Sequence, residues 1–468
     1  MKPFQARSLR SLLFAALVLW AAASAAHGQS GPPPFVPFPQ FLQDVANATL
    51  SQYPNGAVTD PKVFAQMQEY ILSYLYEGVQ PSGSFVLDTS TFDCVPVMQQ
   101  PSVRILGLTS LDSPPPPMVP PPPVGGGGAP PGTDVPVASP LSLGLSDPYG
   151  NPISCADGTI PMRRITLDEL TSFATMQLFF LKAPDGVDEP PVSKVETPAP
   201  SQAQAAPQAA MPAQPPAPPP NNHRYAVGRQ VINNLGGSSW LNLWSPAINL
   251  GANQVFSLSQ HWYGSGAANT TQTVEGGWQV YPAHYNNSTN AATFIYWTPD
   301  GYTTGCYNLD CAGFVQVNNA YAIGGAWTNY STRGGAQYIF NMTWTLFNGD
   351  WWLWLQGANP GSWVGYYPGR IFNGGQLTLN ATRFTYGGET FGNASWPPMG
   401  SGQFAVNGWQ QAAYQRTVYY FDLTSTPQWT NLPATQPTPA CYTFSFFAGA
   451  GANWSSYFYF GGPGGGGC

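Results

Sequence analysis

Short runs of alternating apolar and polar residues fill the C-terminal half of the chain. Segments such as TFIYWTPDG, TVYYFDLTS and QYIFNMTWTLFNGDWWLWLQG are rich in aromatic and β-branched residues and are separated by Asn-Gly, Asp-Gly or Gly-Gly turns. Such runs predict antiparallel β-strands, and the stretch from Phe347 to Trp351 predicts a hairpin. No amphipathic helix pattern interrupts them. Residues 223–468 are therefore predicted to form an all-β domain, an antiparallel β-sandwich or barrel.

Helical spacing is confined to the N-terminal half. Between about residues 36 and 80, apolar residues recur at intervals of three and four, which predicts short packing helices with one buried face. A compact segment around Cys155 follows and ends in RRITLDELTSF. We expect a small domain of mixed structure over residues 27–182. The predicted buried face holds Phe64, Met67, Tyr70, Ile71 and Leu75.

Two segments have the composition of targeting and linking sequence. Lys2, Arg7 and Arg10 precede an apolar run that ends in small residues, which is typical of a secretory signal peptide over residues 1–26. No later stretch has roughly 18 uninterrupted apolar residues, so neither a transmembrane helix nor a membrane partner is expected. Residues 183–222 are dominated by Pro and Ala without apolar periodicity, which predicts an extended linker. We expect a secreted protein.

Charged residues are scarce, and this makes the few acids informative. Only 8% of residues are charged, and a net charge of −7 argues against a nucleic-acid partner. From Arg224 onward six Arg balance six acids without any Lys, and only two of those acids are glutamates, Glu275 and Glu389. A chain with few carboxylates also suits stability in acid, because few of them must be neutralised as the pH falls.

Each glutamate lies next to a glycine pair within a predicted strand. In QTVEGGWQVYP, alternation places Glu275 with Gln279 and Tyr281 on one face, while Val274 and Trp278 point to the other. In FTYGGETFG, Glu389 shares its face with a threonine and a phenylalanine.

On neighbouring strands of one concave sheet the two glutamates would face each other. Two carboxyls so close cannot both ionise easily, so one can act as acid and the other as base. Alternatively, Glu275 and Glu389 each form local hydrogen bonds, or one of them pairs with Arg383.

Other catalytic motifs are absent or weak. The sequence has no GxSxG elbow, no HExxH and no phosphate-binding glycine loop. His261 and His284 leave a hidden Ser/His/Asp triad open. Cys306 and Cys311 lack a neighbouring histidine, which favours a small disulfide loop over a zinc site. Six cysteines in an exported chain favour three disulfides. No metal or cofactor is expected.

The sequence resembles the neprosin family of secreted glutamic peptidases. The similar segments are VEGGWQVYP, FIYWTPDGYTTGCYNLDCAGFVQ, WWLWLQG, VGYYPGRIF and YGGE, in family order over most of residues 224–468. FDCVPVMQQPSV and CADGTIPMRR are similar to the family's activation peptide. The chain departs from the family in a loose activation-peptide motif and a long Ala/Pro linker, which leaves the activation trigger open.

The resemblance implies a fold, an activity and a set of site residues. It implies a β-sandwich catalytic domain, concanavalin-like or lectin-like, that is active in acid and cleaves after proline. The protein would be made as a zymogen, with residues 27–182 as its propeptide. The family's catalytic glutamates fall on Glu275 and Glu389. Trp278, Gln279, Trp297 and Tyr302 are candidates to line the groove. The implied disulfides are Cys306 with Cys311, Cys441 with Cys468, and Cys94 with Cys155.

The expected partners and the rival functions follow from the same residues. We expect a monomer that acts on proline-rich peptides or proteins and is inhibited by its own propeptide. One glutamate would activate water while the other protonates the leaving nitrogen. Two glutamates on an aromatic sheet would also suit a glycoside hydrolase, although the ExDxxE arrangement of sandwich glycosidases is absent. A non-catalytic carbohydrate-binding module is the third possibility.

Overall fold

The computed structural model describes five stretches of the chain, residues 34–122, 132–182, 222–435, 438–450 and 454–468. The predicted signal peptide lies outside these residues, as does nearly all of the predicted linker, so both remain predictions. Within the described stretches, no helix combines the length and apolar character needed to cross a membrane.

The N-terminal region, residues 34–182, combines short helices with a three-stranded sheet. All five apolar residues predicted to share a helix face are buried, which confirms that face. Asp60 caps their helix by accepting a hydrogen bond from the backbone N–H of Lys62. The helices are α1 Phe38–Asn47, α2 Pro61–Glu69 with a π-helical continuation Tyr70–Leu75, α3 Pro101–Ile105, α4 Leu167–Thr171 and α5 Met176–Phe180. The strands are β1 Ser84–Leu87, β2 Ser90–Pro96, β3 Val135–Pro136 and β4 Thr159–Arg163.

The rest of the described chain is built almost entirely from antiparallel strands. Asn348 and Gly349 both have positive φ between two paired strands, which confirms the predicted hairpin. The strands are β5 His223–Asn234, β6 Gly236–Asn242, β7 Gln254–Ser265, β8 Gln272–Val280, β9 Ala292–Thr298, β10 Cys306–Tyr307, β11 Val315–Gln316, β12 Tyr338–Phe347, β13 Asp350–Gln356, β14 Ser362–Tyr367, β15 Ala381–Gly392, β16 Ser395–Trp396, β17 Ala413–Phe421, β18 Pro427–Trp429, β19 Ala434–Thr435, β20 Thr443–Ala450, β21 Ser455–Gly461 and β22 Gly465–Gly466.

Two large sheets pack face to face. The first has the order β10-β9-β8-β7-β15-β5-β19, and the second runs β11-β14-β13-β12-β6-β17-β21-β20. Side chains bridge them: Trp278 Nε1 on β8 donates to the carbonyl of Asn242 on β6 (2.9 Å), and Ser239 Oγ on β6 bonds His261 Nε2 on β7 (2.7 Å). The described strands form no closed barrel, so the predicted antiparallel β-sandwich is confirmed.

The largest side chains of this interior control its stability, and Trp278 is a direct test. Trp278 is fully buried, so Trp278→Ala is expected to lower the free energy of unfolding by about 3–5 kcal/mol. The loss should be seen in urea unfolding as a lower midpoint with an unchanged slope. Leu379→Ala is the control, because Leu379 is 69% exposed and its truncation should cost no more than about 0.5 kcal/mol.

The two glycine pairs serve both faces of the first sheet. A Cβ at Gly276 or Gly388 would lie 3.0 Å or 2.6 Å from a methionine sulfur on the sandwich side, so these two glycines allow close packing there. Gly277 and Gly387 lie on the opposite face, on either side of Gln260. A Cβ at Gly277 would lie 1.9 Å from a carbonyl oxygen of β7. Gly277 and Gly387 therefore add no side chain to the outer face between the two acids.

Three disulfides fix chain segments in both halves. Each forms the pair that the family resemblance implied, which confirms the pairing. They join Cys94 to Cys155, Cys306 to Cys311, and Cys441 to Cys468.

Candidate active site

Both glutamates lie on the outer face of the first sheet, turned away from the sandwich interior. Glu275 on β8 and Glu389 on β15 are completely buried. Gln279 and Tyr281 continue the face of Glu275 along the chain, while Val274 packs in the interior, as strand alternation predicts. The cover over this face comes from the N-terminal region.

The two glutamates are not on neighbouring strands. Strand β7 lies between β8 and β15, with Trp262 opposite Glu275 and Leu258 opposite Glu389. The glutamates are therefore separated across a strand and offset along it, unlike the simpler arrangement considered from the sequence. Their carboxylates still converge, because Gly277 and Gly387 place no side chain between them.

The point of convergence is the ammonium group of Lys182. Its Nζ lies 2.7 Å from Glu275 Oε2 and 2.8 Å from Glu389 Oε2. The Lys182 side chain is fully buried, and its Nζ lies 5.0 Å from the ring centroid of Trp262, a cation–π contact. Lys182 belongs to the N-terminal region and is the second residue after the end of α5. One cation thus joins both carboxylates.

Glu389 receives two further nitrogen contacts. His223 Nδ1 lies 2.6 Å from Glu389 Oε1, and Gln260 Nε2 donates to Oε2 at 3.0 Å. His223 is the first residue of β5, so residues on both sides of the segment 183–222 reach the same carboxylate. The environment of Glu389 favours its ionised form, because hydrogen bonds to a carboxylate stabilise the charge.

Glu275 is held by hydroxyl groups. Tyr302 Oη donates to Glu275 Oε1 at 2.8 Å, and Thr273 Oγ1 donates to the same oxygen at 2.7 Å. Tyr302 has a φ of +63°, a left-handed conformation that is rare for a tyrosine. Its backbone N–H donates to Thr298 Oγ1 at 3.0 Å, which holds the turn. Strain of this kind is concentrated at functional sites.

The electrostatics of the site depend strongly on the Lys182 ammonium. The Lys182 ammonium contacts both buried carboxylates, and Glu389 also contacts the ring of His223. The charge of Glu275 contributes, after burial, to raising the pKa of Tyr367 well above its ordinary value. Without Lys182, two such close carboxylates would share a proton, because both cannot remain ionised in a dry site. The arrangement can then supply one acid and one base.

The region that holds these acids matches a known family. Residues 253–463, which include both glutamates, match the Neprosin family model. These residues form a Neprosin domain. The match confirms the resemblance seen in the sequence motifs and supports a glutamic-type peptidase.

Solved structures of glutamic peptidases are also similar to this chain. One is a Scytalido-glutamic peptidase with a peptide-based transition state analog, with 10% identity, a TM-score of 0.27, and coverage of 52% of this chain and 97% of that chain. Another is SCP-B, a member of the Eqolisin family of peptidases, in complex with the tripeptide Ala-Ile-His, with 9% identity, a TM-score of 0.25 and the same coverage. TM-scores this low do not establish a shared fold.

The four groove candidates of the Neprosin domain divide between the two faces. Tyr302 contacts Glu275 directly, and Gln279 shares its face, donating to Tyr307 Oη at 3.4 Å. Trp278 and Trp297 lie on the opposite face, inside the sandwich. Strand alternation turns Trp278 inward, and Trp297 is paired in register with inward-facing Val274.

The histidines of the Neprosin domain have separate settings. His261 bonds Ser239 in the sandwich interior, where burial lowers its pKa to about 3, and no carboxylate of the described residues bonds to it. His284 Nε2 pairs with Asp310 Oδ2 at 3.0 Å. The described residues therefore do not assemble a Ser/His/Asp triad around either histidine.

Several residues of the site had no signal in the sequence. Lys182 ends an apolar run far from any catalytic motif, and His223 lies at the predicted linker boundary. Gln260 sits in a strand of ordinary composition. The one usable signal was the absence of lysine from Arg224 onward, because a cation for two buried glutamates then had to be an arginine, a histidine or a lysine from the N-terminal region.

Proposed function

We propose that this protein is an endopeptidase that hydrolyses peptide bonds with Glu275, Glu389 and one water molecule. The observation that carries the proposal is the convergence of two buried carboxylates, within a Neprosin domain, on a single point held by Lys182 Nζ. A water at that point would contact both acids. Strong convergence of two carboxyls on one dry site supplies the acid and base of a hydrolytic reaction.

The contacts of the two glutamates support different roles. Glu389 contacts the ring of His223 and the amide of Gln260, which favour its carboxylate form. Glu275 accepts hydrogen bonds from two hydroxyl groups, so we assign the shared proton to Glu275. Glu389 is therefore the proposed base and Glu275 the proposed acid.

The reaction balances with one proton on the pair. The Glu389 carboxylate accepts a proton from water as the water oxygen attacks the peptide carbonyl carbon. Glu275 hydrogen-bonds the carbonyl oxygen and stabilises the negative charge that develops there. Glu275 then gives its proton to the leaving nitrogen as the C–N bond breaks. The proton on Glu389 restores Glu275, and the pair again holds a single proton.

The N-terminal region is proposed to keep the enzyme latent. Lys182 Nζ occupies the position between the carboxylates where the attacking water would lie, and Lys182 neutralises the charge that would polarise that water. The protein is then a zymogen whose own N-terminal region is its inhibitor. Cleavage within 183–221 would leave Lys182 in place, so latency ends only when the segment bearing Lys182 leaves the site.

Three finer features complete the proposal. Activity in acid follows from the need for one proton on the pair. Secretion is supported by the three disulfides, which persist in oxidising compartments. Preference for cleavage after proline rests on the family resemblance and agrees with a proline-rich segment between the N-terminal region and the β-sandwich.

The experiment is a cleavage map. The full-length protein is incubated with a denatured proline-rich protein and, separately, with a β-glucan over the range from pH 3 to 7, and the products are identified by mass spectrometry. Peptide products that end in proline and are formed only in acid support the whole proposal. Peptide products without that preference remove the specificity alone. Release of sugars without peptides would establish the glycoside hydrolase instead.

Tyr302 tests the assignment of roles. Tyr302→Phe removes the hydroxyl that stabilises the Glu275 carboxylate but keeps the ring, so Glu275 should hold its proton up to a higher pH. We expect the alkaline limb of the pH–rate profile to move to higher pH, with a change in kcat of no more than about tenfold. Tyr386→Phe is the matched control, because its buried hydroxyl bonds Tyr263 away from the glutamates. A shift in both variants would contradict the assignment.

A further inference from the structure

We propose that an aromatic surface next to the glutamates binds an aromatic side chain of the peptide substrate several residues from the scissile bond. The surface consists of Tyr281, His284 and Tyr307, here called the aromatic shelf. This inference rests on the proposed peptidase function and adds to it a specificity site remote from the reacting bond.

The shelf is continuous with the catalytic face. Tyr281 lies on the face of Glu275, reached along β8 through Gly277 and Gln279. The His284 ring lies 5.4 Å from that of Tyr281, nearly parallel to it at 22°, and 4.5 Å from that of Tyr307. These rings form one apolar wall that extends from the glutamates.

The N-terminal region occupies this wall with aromatic rings of its own. Phe179 stacks on His284 with the ring centroids 4.8 Å apart and an interplanar angle of 24°. Phe173 packs edge-on against both Tyr281 and His284, at 6.2 Å from each. Three residues after Phe179, Lys182 reaches the glutamates. One continuous segment thus fills both the shelf and the catalytic position, as an extended substrate would.

Release of that segment leaves an apolar surface that needs a new occupant. Tyr281, His284 and Tyr307 are all at least nine-tenths buried in the closed protein. Exposed aromatic surface adjoining a catalytic site is a typical ligand-binding surface. The chemistry that already fits it is a planar ring, since Phe179 and Phe173 make the preferred stacked and edge-on geometries.

The histidine of the shelf favours an aromatic occupant over an aliphatic one. Burial lowers the pKa of His284 in the closed protein, although Asp310 opposes the shift. Once Phe179 leaves, the pKa of His284 rises toward its ordinary value, and the imidazole is protonated in acid. A cationic ring attracts the face of an aromatic side chain but offers no such gain to leucine.

The position of the occupant follows from chain geometry. Six residues along a strand separate Glu275 from Tyr281, which corresponds to about 20 Å. The three residues from Phe179 to Lys182, with the lysine side chain added, span a similar reach. An extended substrate advances by roughly 3.3 Å per residue. The shelf therefore contacts the residue about four to six positions from the scissile bond.

The test uses the acid-activated protein and a series of quenched fluorescent peptides. Each has the same cleavable bond in a background without other aromatic residues, and a single Phe is moved along the positions three to seven residues away on either side. We expect kcat/KM to rise about 2- to 10-fold for Phe at one or two adjacent positions on one side. Leu at the same positions should give a smaller rise.

An aliphatic variant, which keeps the site apolar but removes the ring, ties the gain to the shelf. Tyr281→Leu should reduce the ratio of kcat/KM for the best Phe peptide to that of the Phe-free peptide to about 1, whereas Phe447→Ala, a partly exposed ring on β20, should leave the ratio intact. If peptides are cleaved but Phe gives no gain, or Tyr281→Leu preserves it, the shelf only seats the N-terminal region. If no peptide is cleaved by any variant, the peptidase proposal fails and this inference fails with it.

Discussion

Glu389→Gln is expected to lower kcat/KM for an acid-cleaved peptide by at least about 10³-fold. The amide has nearly the shape of the carboxylate, so the fold and the hydrogen bond from Gln260 should persist. It cannot, however, accept the proton of the attacking water. The measurement is the hydrolysis of a proline-containing peptide near the optimum pH of the wild-type protein. The same variant should stay full-length in acid when other proteases are absent, because self-processing would also be lost.

Glu275→Gln should cause a loss of similar size, and the double variant should be no worse than either single variant. Residues that act as one unit in a mechanism give strongly non-additive losses. Glu169→Gln is the matched control, because Glu169 is equally buried but bonds Arg163 in the N-terminal region at 2.7 and 2.8 Å. After activation it should keep normal turnover. Retention of more than about a tenth of wild-type activity by either site variant would contradict the mechanism.

Strand periodicity correctly predicted which residues of β8 share a face. Alternation in a half-buried strand placed Glu275, Gln279 and Tyr281 on one face and Val274 and Trp278 on the other, as the structure has them. The same period-2 rule does not say which strands are adjacent. The intervening β7 was therefore not anticipated, and neither was the inward position of Trp297, which its register with Val274 determines.

No local sequence pattern could have identified Lys182 as the cation of the site. Lys182 is 93 residues from Glu275 and 207 residues from Glu389 along the chain. Its partners are set by how the N-terminal region docks on the sheet, and docking leaves no periodic trace in sequence. His223 was not predicted for a related reason. It is the first residue of its strand, at the linker boundary, and no earlier strand residues establish which face it lies on. Tertiary contacts of this kind require the assembled fold.

Replacement of Lys182 by Met should remove most of the pH dependence of release of the N-terminal region. In the closed protein the Lys182 ammonium lets both carboxylates stay ionised. When Lys182 leaves, the pair can no longer hold two charges and takes up one proton. The open state thus binds one proton more than the closed state, so opening becomes up to about tenfold more favourable for each unit that the pH falls.

Two other buried groups, between the N-terminal region and the first sheet, have opposite effects on the pH dependence of release. Burial raises the pKa of Glu169 from 4.5 to about 7, so the closed state gains a proton between those values and is stabilised as the pH falls. Burial lowers the pKa of His284, so the open state gains a proton below the ordinary value near 6.5, and acid favours release. Arg163 and Asp310 lie beside both groups. The direction of the pH dependence of release is therefore set at the glutamate pair, where a proton replaces the Lys182 ammonium.

The proton taken up on release is the one that the proposed mechanism requires, so activation and catalysis share a single titration. Methionine fills the volume of the lysine without its charge, and the closed pair of Lys182→Met must then already hold that proton. Short pulses of hydrogen exchange over residues 167–182, corrected for the intrinsic effect of pH, would report opening apart from catalysis. Wild type and the charge-preserving Lys182→Arg should open with a slope of about one proton between pH 6 and 4, and Lys182→Met with a slope well below that. An equal slope in all three proteins would place the acid trigger elsewhere in the N-terminal region.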